Sequence, residues 1–304
     1  MKILRNSHLR RSFTLVELLV VIGIITLLGG ILVPSVCRVK KVVINVRETS
    51  KQRENYTALS TFSMDNHDRL PKSVAVRCED DRLAWREPTL LAGFRGCEHL
   101  RPRSVSAHLG YYIKDASRMY CSNAPSVYPC LQEAWDAGDD WNHSDPNTDP
   151  YEDPLFGTYC LYWNYNAYIE EQGRAFRGPR RISNPGGNTD LLMTDYFGFG
   201  HWRNRLFFGT WNAYGSCDPI GEGDITPGTL VSSDFWSAPD RDRQLRPEDL
   251  DLTLRAVYTD GHVENFTSEN ILTLRVSKEW DGSRPYPSII EPGGKFFIPA
   301  DAVK

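Results

Sequence analysis

Arg10-Arg11-Ser12-Phe13-Thr14-Leu15-Val16-Glu17-Leu18-Leu19-Val20-Val21-Ile22 decides how the rest of the chain is read. A basic leader gives way to an apolar run that carries one carboxylate near its start. From Leu15 to Val36, 22 residues, the only polar side chains are Glu17, Thr26 and Ser35. At a rise of about 1.5 Å per residue, such a helix covers a bilayer core of about 30 Å. The run is longer than the apolar core of a secretory signal, so a retained membrane helix is expected. Glu17 is the anomaly. A charge at the bilayer centre costs roughly 2.5–3.5 kcal/mol on insertion scales, and an ionisable residue inside a span is a functional hypothesis by default. Near the helix end, water and headgroups reduce that cost without removing it.

These residues resemble the class III signal of type IV pilins and of the pseudopilins of type II secretion systems. In that family a small residue precedes a mature Phe or Met, the chain continues close to Thr-Leu-Ile-Glu-Leu, and the Glu is the fifth mature residue. Ser12 is the small residue here, where Gly is usual, and Phe13-Thr14-Leu15-Val16-Glu17 follows it, with Glu17 fifth from Phe13. Pro34 stands where many members carry a proline late in the apolar helix. The resemblance implies cleavage by a prepilin peptidase between Ser12 and Phe13 and N-methylation of the Phe13 amine. It also implies residence in the inner membrane and later extraction into a filament of similar subunits, with Glu17 pairing to the Phe13 amine of a neighbour. A partner cation removes the cost of an unpaired carboxylate in lipid, and Glu17 then acts as a register device.

Composition agrees with export of the bulk of the chain. There are 35 Lys and Arg against 39 Asp and Glu, a formal net charge of −4. Removing the leader's Lys2, Arg5, Arg10 and Arg11 leaves 31 against 39, or −8, which argues against a nucleic-acid partner. Basic residues precede the span, so the N-terminus is expected in the cytoplasm of a bacterial cell. The chain would cross the inner membrane once, with its head in the periplasm or, after assembly, at the cell surface. Lys40 and Lys41 after the span weaken the charge asymmetry, but long domains translocate largely regardless of charge. Cys37 lies at the membrane edge, and Cys78, Cys97, Cys121, Cys130, Cys160 and Cys217 follow it. In an oxidising compartment at least one disulfide is expected, with Cys121 and Cys130 the favoured local pair, although spacing alone does not fix the pairing. Cys97, His99 and His108 lack the four-ligand spacing of a zinc site.

Pro34 removes one helical hydrogen bond, but membrane helices tolerate it. Val36, Val39, Val43 and Val46, then Tyr56, Leu59 and Phe62, recur at three- and four-residue steps. Arg38, Lys41, Arg47, Lys51 and Arg53 occupy the polar face, so one amphipathic helix is predicted from about Phe13 to about Met64. Its first half would lie in lipid and its second half beneath a head. Asp65-Asn66-His67-Asp68-Arg69-Leu70-Pro71 supplies the turn formers and proline that stop it. The expected organisation is a leader over 1–12, a membrane part of the helix over 13–36, an exported amphipathic part over 37–66, and a β-rich head over 67–304. The fold class is α+β, a long N-terminal helix packed on an antiparallel sheet, as in pilin-like proteins.

Within that family the chain resembles a planctomycete and lentisphaera subgroup. Asn55, Asp65-Asn66 and Pro71 match its Asn and its Asp-Asn-x-x-x-x-Pro turn. Tyr162-Trp163-Asn164-Tyr165-Asn166, Ser183-Asn184-Pro185 and Leu191-Leu192-Met193-Thr194-Asp195 resemble its Tyr/Asn-rich stretch and its strand with an acidic turn. The subgroup ends in a signature called H-X9-DG, whose Asp-Gly-His-Val core is Asp260-Gly261-His262-Val263 here, while Leu250 stands where the signature has its His. In this stretch Leu252, Leu254, Ala256 and Tyr258 alternate with Thr253, Arg255 and Val257, which predicts a strand with one buried face. Asp260-Gly261 predicts a two-residue type I′ hairpin turn, with Val263 and Phe266 on the return strand.

Residues 136–153 carry Asp136, Asp139, Asp140, Asp145, Asp149, Glu152 and Asp153. Calcium is the ion such oxygens would suit, with Asp136, Asp139, Asp140 and Asp145 as candidate ligands, but no EF-hand spacing occurs and a solvated acidic loop is the preferred reading. Trp135, Trp141, Trp163, Trp202, Trp211 and Trp236 read as core and strand residues in preference to a glycan-binding face. Nucleophile elbow, Walker loop and zinc-protease motifs are all missing from the sequence. The function expected is a non-enzymatic structural subunit, needing no cofactor. Its partners would be the prepilin peptidase, similar subunits and the inner membrane. The alternative is a membrane-anchored exported enzyme, or a glycan- or calcium-binding module, on a pilin-like anchor. An anchored enzyme would keep its activity without the first 40 or so residues, whereas a subunit would need Ser12, Phe13 and Glu17.

Overall fold

A computed structural model describes residues 15–79, 82–85, 88–92, 104–120, 131–138, 155–200, 206–209, 216–219, 253–267, 269–276 and 295–304. The chain divides into two compact units, residues 1–45 and 46–304. One helix, α1, runs Leu15–Asp65 and crosses that division, passing Pro34 without a break.

The helix stops where the turn residues predict. Ser63 O accepts from Asn66 N at 3.1 Å and from Asp68 N at 2.8 Å, the latter a Schellman-type bond that satisfies a terminal carbonyl. His67 and Asp68 take the left-handed conformation (φ +57° and +63°), and Asn66 Nδ2 donates to Phe62 O at 2.8 Å. Asp68 then fixes the chain it has turned toward. Its carboxylate accepts from Ser183 N at 3.2 Å and from the Ser183 hydroxyl.

Fifteen strands follow among the described residues. They are β1 (Val76–Glu79), β2 (Arg82–Trp85), β3 (Leu90–Ala92), β4 (Leu155–Phe156), β5 (Tyr159–Leu161), β6 (Asn166–Ile169), β7 (Arg174–Arg177) and β8 (Leu191–Asp195), then β9 (Phe197–Gly200), β10 (Leu206–Gly209), β11 (Ser216–Pro219), β12 (Thr253–Tyr258), β13 (Val263–Thr267), β14 (Ile271–Val276) and β15 (Lys295–Pro299). Short helices α2 (Ser106–Leu109) and α3 (Leu131–Asp136) lie between β3 and β4. A four-stranded sheet has the order β13-β12-β8-β5, and a seven-stranded sheet the order β11-β10-β9-β15-β14-β6-β7. Their pairings are antiparallel. The chain passes from one sheet to the other through Tyr196, whose ring lies 6.0 Å from Phe296. The result is α+β: an N-terminal apolar helix with antiparallel sheets, consistent with a pilin-like fold.

The part of α1 in the second unit buries a different face from the one its valines suggest. Val46 is 64% exposed, while Glu48, Lys51, Gln52 and Asn55 are buried, followed by Ala58, Leu59 and Ser63. Lys51, expected on the solvent side, donates from Nζ to Tyr120 O at 2.7 Å and to Ser117 O at 3.2 Å. These two carbonyls replace water around the ammonium, so its burial is tolerated.

β12 also differs from expectation. Leu254, Ala256 and Tyr258 are buried, but so are Arg255 and Val257. The strand lies inside its sheet, between β13 and β8, and its second face meets α1. The hairpin turn is one residue longer than predicted. Gly261 N donates to Tyr258 O at 3.0 Å, which makes Thr259 and Asp260 the central residues. Only Gly261 has a positive φ, +86°. This is the three-residue hairpin loop, a type I turn closed by a left-handed glycine, not a type I′ turn, which needs positive φ at both central positions. Gly261 is required twice over, because a Cβ there would meet the Tyr56 ring of α1 at 2.6 Å.

Gly261→Ala is therefore expected to cost more than the roughly 1–2 kcal/mol of a left-handed alanine. In a Tyr56→Leu background the excess should shrink and the backbone part remain. Thermal unfolding of the four proteins of that double-mutant cycle measures both parts.

Candidate functional site

In the first unit, Leu15–Leu32 is long and apolar enough to cross a membrane, and none of it is buried. In water such a surface marks a membrane or protein contact. Glu17 sits exposed in the first turn of α1, where the partial positive charge of the helix end favours a carboxylate. Pro34 lies within the helix, and Ser12 and Phe13 lie outside the described residues.

In the second unit, a row of side chains crosses three strands and meets α1. Tyr159 on β5 is opposite Asp195 on β8, and Arg255 on β12 reaches the same carboxylate. Arg255 donates to Asp195 Oδ2 from its backbone N at 3.0 Å and from Nε at 2.9 Å, and its Nη2 lies 2.8 Å away. From α1, Gln52 Nε2 donates to Asp195 Oδ1 at 2.8 Å, and Glu48 Oε2 accepts from Tyr159 OH at 2.8 Å. The pair is sealed, with side-chain exposures of 1% for Arg255 and 0% for Asp195. Burial and the neighbouring Glu48 carboxylate push Asp195 up to about 6, against the pull of Arg255. The guanidinium bonds Asp195, and the buried Glu48 carboxylate lies near enough to act on both. The arrangement locks a helix to a sheet and leaves no reacting atom accessible to a substrate.

The Asp-Gly-His-Val hairpin docks on the same helix. Tyr56 OH donates to Thr259 O at 3.2 Å. His262 N donates to Asp260 Oδ1 at 3.0 Å, and Nδ1 is 2.5 Å from the same oxygen. The His262 ring stacks on Tyr258 with centroids 4.3 Å apart, and the Tyr258 hydroxyl donates to Glu264. Burial raises the Asp260 carboxyl, and the hydrogen bonds from His262 outweigh it, holding the group below its usual range. Asp260, Gly261 and His262 thus shape the turn that holds Tyr56. Leu250 lies outside the described residues.

Other landmarks of the sequence converge near the end of α1. Asn55 Nδ2 donates to Arg118 O at 3.0 Å, Asp65 accepts from Tyr112 OH at 2.7 Å, and Asn164 Nδ2 donates to Leu70 O and Pro71 O at 3.1 and 2.7 Å. Asp195, expected in an acidic turn, is instead the last residue of β8. Trp135 and Trp163 are buried. Of the candidate calcium ligands, Asp136 is exposed and accepts from Gln132 Nε2 at 2.9 Å, while Asp139, Asp140 and Asp145 lie outside the described residues. Among the described residues no three His, Cys, Asp or Glu side chains gather as a metal site. Cys160 is a buried thiol beside the Tyr162 hydroxyl, and the proposed Cys121–Cys130 pair falls outside the described residues.

The sequence reading missed Glu48, Gln52, Tyr159 and Arg255 as a group. A signal was present: an arginine in the middle of Leu254-Arg255-Ala256-Val257-Tyr258 and a carboxylate ending Leu191-Leu192-Met193-Thr194-Asp195 each interrupt an otherwise apolar strand.

Residues 8–33 match the prokaryotic N-terminal methylation motif. The motif covers the leader junction, Glu17 and most of the apolar run, and it points to a type IV pilin- or pseudopilin-like protein. It implies processing by a prepilin peptidase, and the apolar helix beside it is consistent with membrane anchoring. No curated protein and no solved structure matches the chain.

The raised Asp195 carboxyl sets a pH dependence. The folded state holds this proton more tightly than the unfolded chain, whose carboxyl has the ordinary value of 3.8. Its contribution to stability is therefore complete below about pH 4 and is lost as pH rises through about 6, a fall of roughly 3 kcal/mol. Denaturant unfolding between about pH 4 and pH 8 should show this slope, and Asp195→Asn should flatten it. Arg255→Leu should cost about 3–5 kcal/mol, because it strands the carboxylates without their cation.

Proposed function

We propose that the chain is a structural subunit, a pseudopilin or minor pilin-like protein, without enzymatic activity of its own. Prepilin peptidase cuts between Ser12 and Phe13 and the Phe13 amine is methylated. The subunit then waits in the inner membrane as a single-pass protein, with its N-terminus cytoplasmic and its head exported. Assembly extracts the apolar helix into a type II secretion or type IV pilus-like filament, where Glu17 pairs with the Phe13 amine of a neighbour.

The observation that carries this reading is the methylation motif over 8–33, placed on an unburied apolar helix with a single carboxylate in its first turn. The sealed Asp195–Arg255 cluster supports it from the other side, since that cluster holds the helix to the sheet and offers nothing to a substrate. We place the chain in the H-X9-DG subgroup, on the Asp260-Gly261-His262 turn that receives Tyr56. The leading His of the signature is replaced by Leu250.

Mass spectrometry of the native N-terminus should find N-methylated Phe13. An intact Met1, or cleavage after Ser35, would sink the reading. Glu17→Ala subunits should be processed normally yet fail to enter filaments beside wild-type subunits, measured by recovery in sheared filament fractions. Their normal incorporation would remove the assembly role of Glu17.

A further inference from the structure

One ladder position sets like charges face to face. Arg69, just beyond the stop of α1, and Arg181 form an antiparallel bridge. Leu70 N donates to Arg180 O at 3.0 Å. The two arginines are therefore a non-hydrogen-bonded pair, the kind whose side chains come nearest, with Cα atoms about 4.5 Å apart. Like charges directly opposite on a ladder are destabilising. Both arginines are exposed, and among the described residues neither is ion-paired with a carboxylate. Asp68, the neighbouring acid, is turned into the backbone, where Ser183 N and the hydroxyls of Ser183 and Ser63 occupy it.

The platform beneath the pair is fixed. Asn164 Nδ2 holds the carbonyls of Leu70 and Pro71, and Arg180 N donates to Pro185 O at 2.7 Å. Two exposed guanidinia on a fixed backbone, with no carboxylate partner among the described residues, suit oxyanions, to which each presents a planar fork of donors. Residues 172–189 contain four arginines and no acid, while residues 136–153 contain seven acids and neither Lys nor Arg. The sequence thus carries both halves of a complementary contact.

We propose that the Arg69–Arg181 bridge docks the acidic 136–153 stretch of a second copy of this chain. The inference rests on the filament reading for the presence of neighbouring copies. Made in one direction only, from the arginines of one copy to the acidic stretch of the next, such a contact is heterologous and repeats from copy to copy. That is the geometry an open filament needs. Screening by salt weakens the contact.

The test uses the full mature chain in detergent micelles, with self-association followed by sedimentation at low and high salt. Arg69→Gln/Arg181→Gln should weaken association about tenfold or more, and Asp139→Asn/Asp140→Asn/Asp145→Asn/Asp149→Asn should do the same. Arg69→Glu/Arg181→Glu subunits should associate with subunits carrying Lys at those four aspartates. Thermal unfolding of Arg69→Gln/Arg181→Gln should be no lower than wild type, since a repulsion has been removed. Unchanged association in either neutralised variant, or no recovery in the charge-swapped mixture, overturns the proposal. So does a loss confined to binding of anionic phospholipid vesicles or an acidic polysaccharide. If Phe13 is methylated and the arginine variants still associate, this inference alone fails. An unprocessed Met1 defeats the filament reading whatever the arginines do.

Discussion

The head depends on one buried ion pair. Asp195 and Arg255 lie on adjacent strands of the four-stranded sheet, and the same carboxylate receives Gln52 from α1. Removing two charges from water is costly, and their attraction offsets that cost only when geometry is good and remaining hydrogen-bonding capacity is met. Here the backbone N and Nε of Arg255 and the Nε2 of Gln52 donate to a single carboxylate, with Arg255 Nη2 2.8 Å away as an ion pair. An apolar seat would let a helix slide or rotate among near-equivalent positions, whereas a buried pair with a helical amide on it admits one register. The Glu48–Tyr159 bond a turn earlier and the Tyr56 contact with the hairpin a turn later repeat that constraint along the helix.

Helix and head thus use opposite chemistries along one element. Over Leu15–Leu32 the helix is unburied and apolar except for Glu17 and Thr26. From Glu48 onward its buried face begins polar and turns apolar only at Ala58 and Leu59. The apolar part is left unburied, and the polar part fixes the helix to the sheet.

Much of this was legible in the sequence, at the level of periodicity and turn chemistry. The long helix, its passage through Pro34, its stop at Asp65–Pro71 and the hairpin near Asp260 follow from local rules that neighbouring elements do not override. What escaped was decided by long-range contact. Lys51 reads as a solvent-facing cation until carbonyls of Ser117 and Tyr120 are brought to it from far along the chain. Arg255 reads as the exposed side of an alternating strand until α1 covers that side. The hairpin was misjudged by one residue because Asp-Gly serves both a two-residue turn and the end of a three-residue one, and only the pairing of Val257 with Val263 separates them.

The order of strands carries a consequence for the cohesion of the larger sheet. β15, formed by Lys295–Pro299, lies between β9 and β14 in the interior of the seven-stranded sheet. Without β15, β9 and β14 would each present an open edge, and the sheet would fall into two separate pieces. Lys295–Pro299 act as the keystone of that sheet, and their removal would leave two unsatisfied strand edges, the kind of surface that invites pairing with another chain.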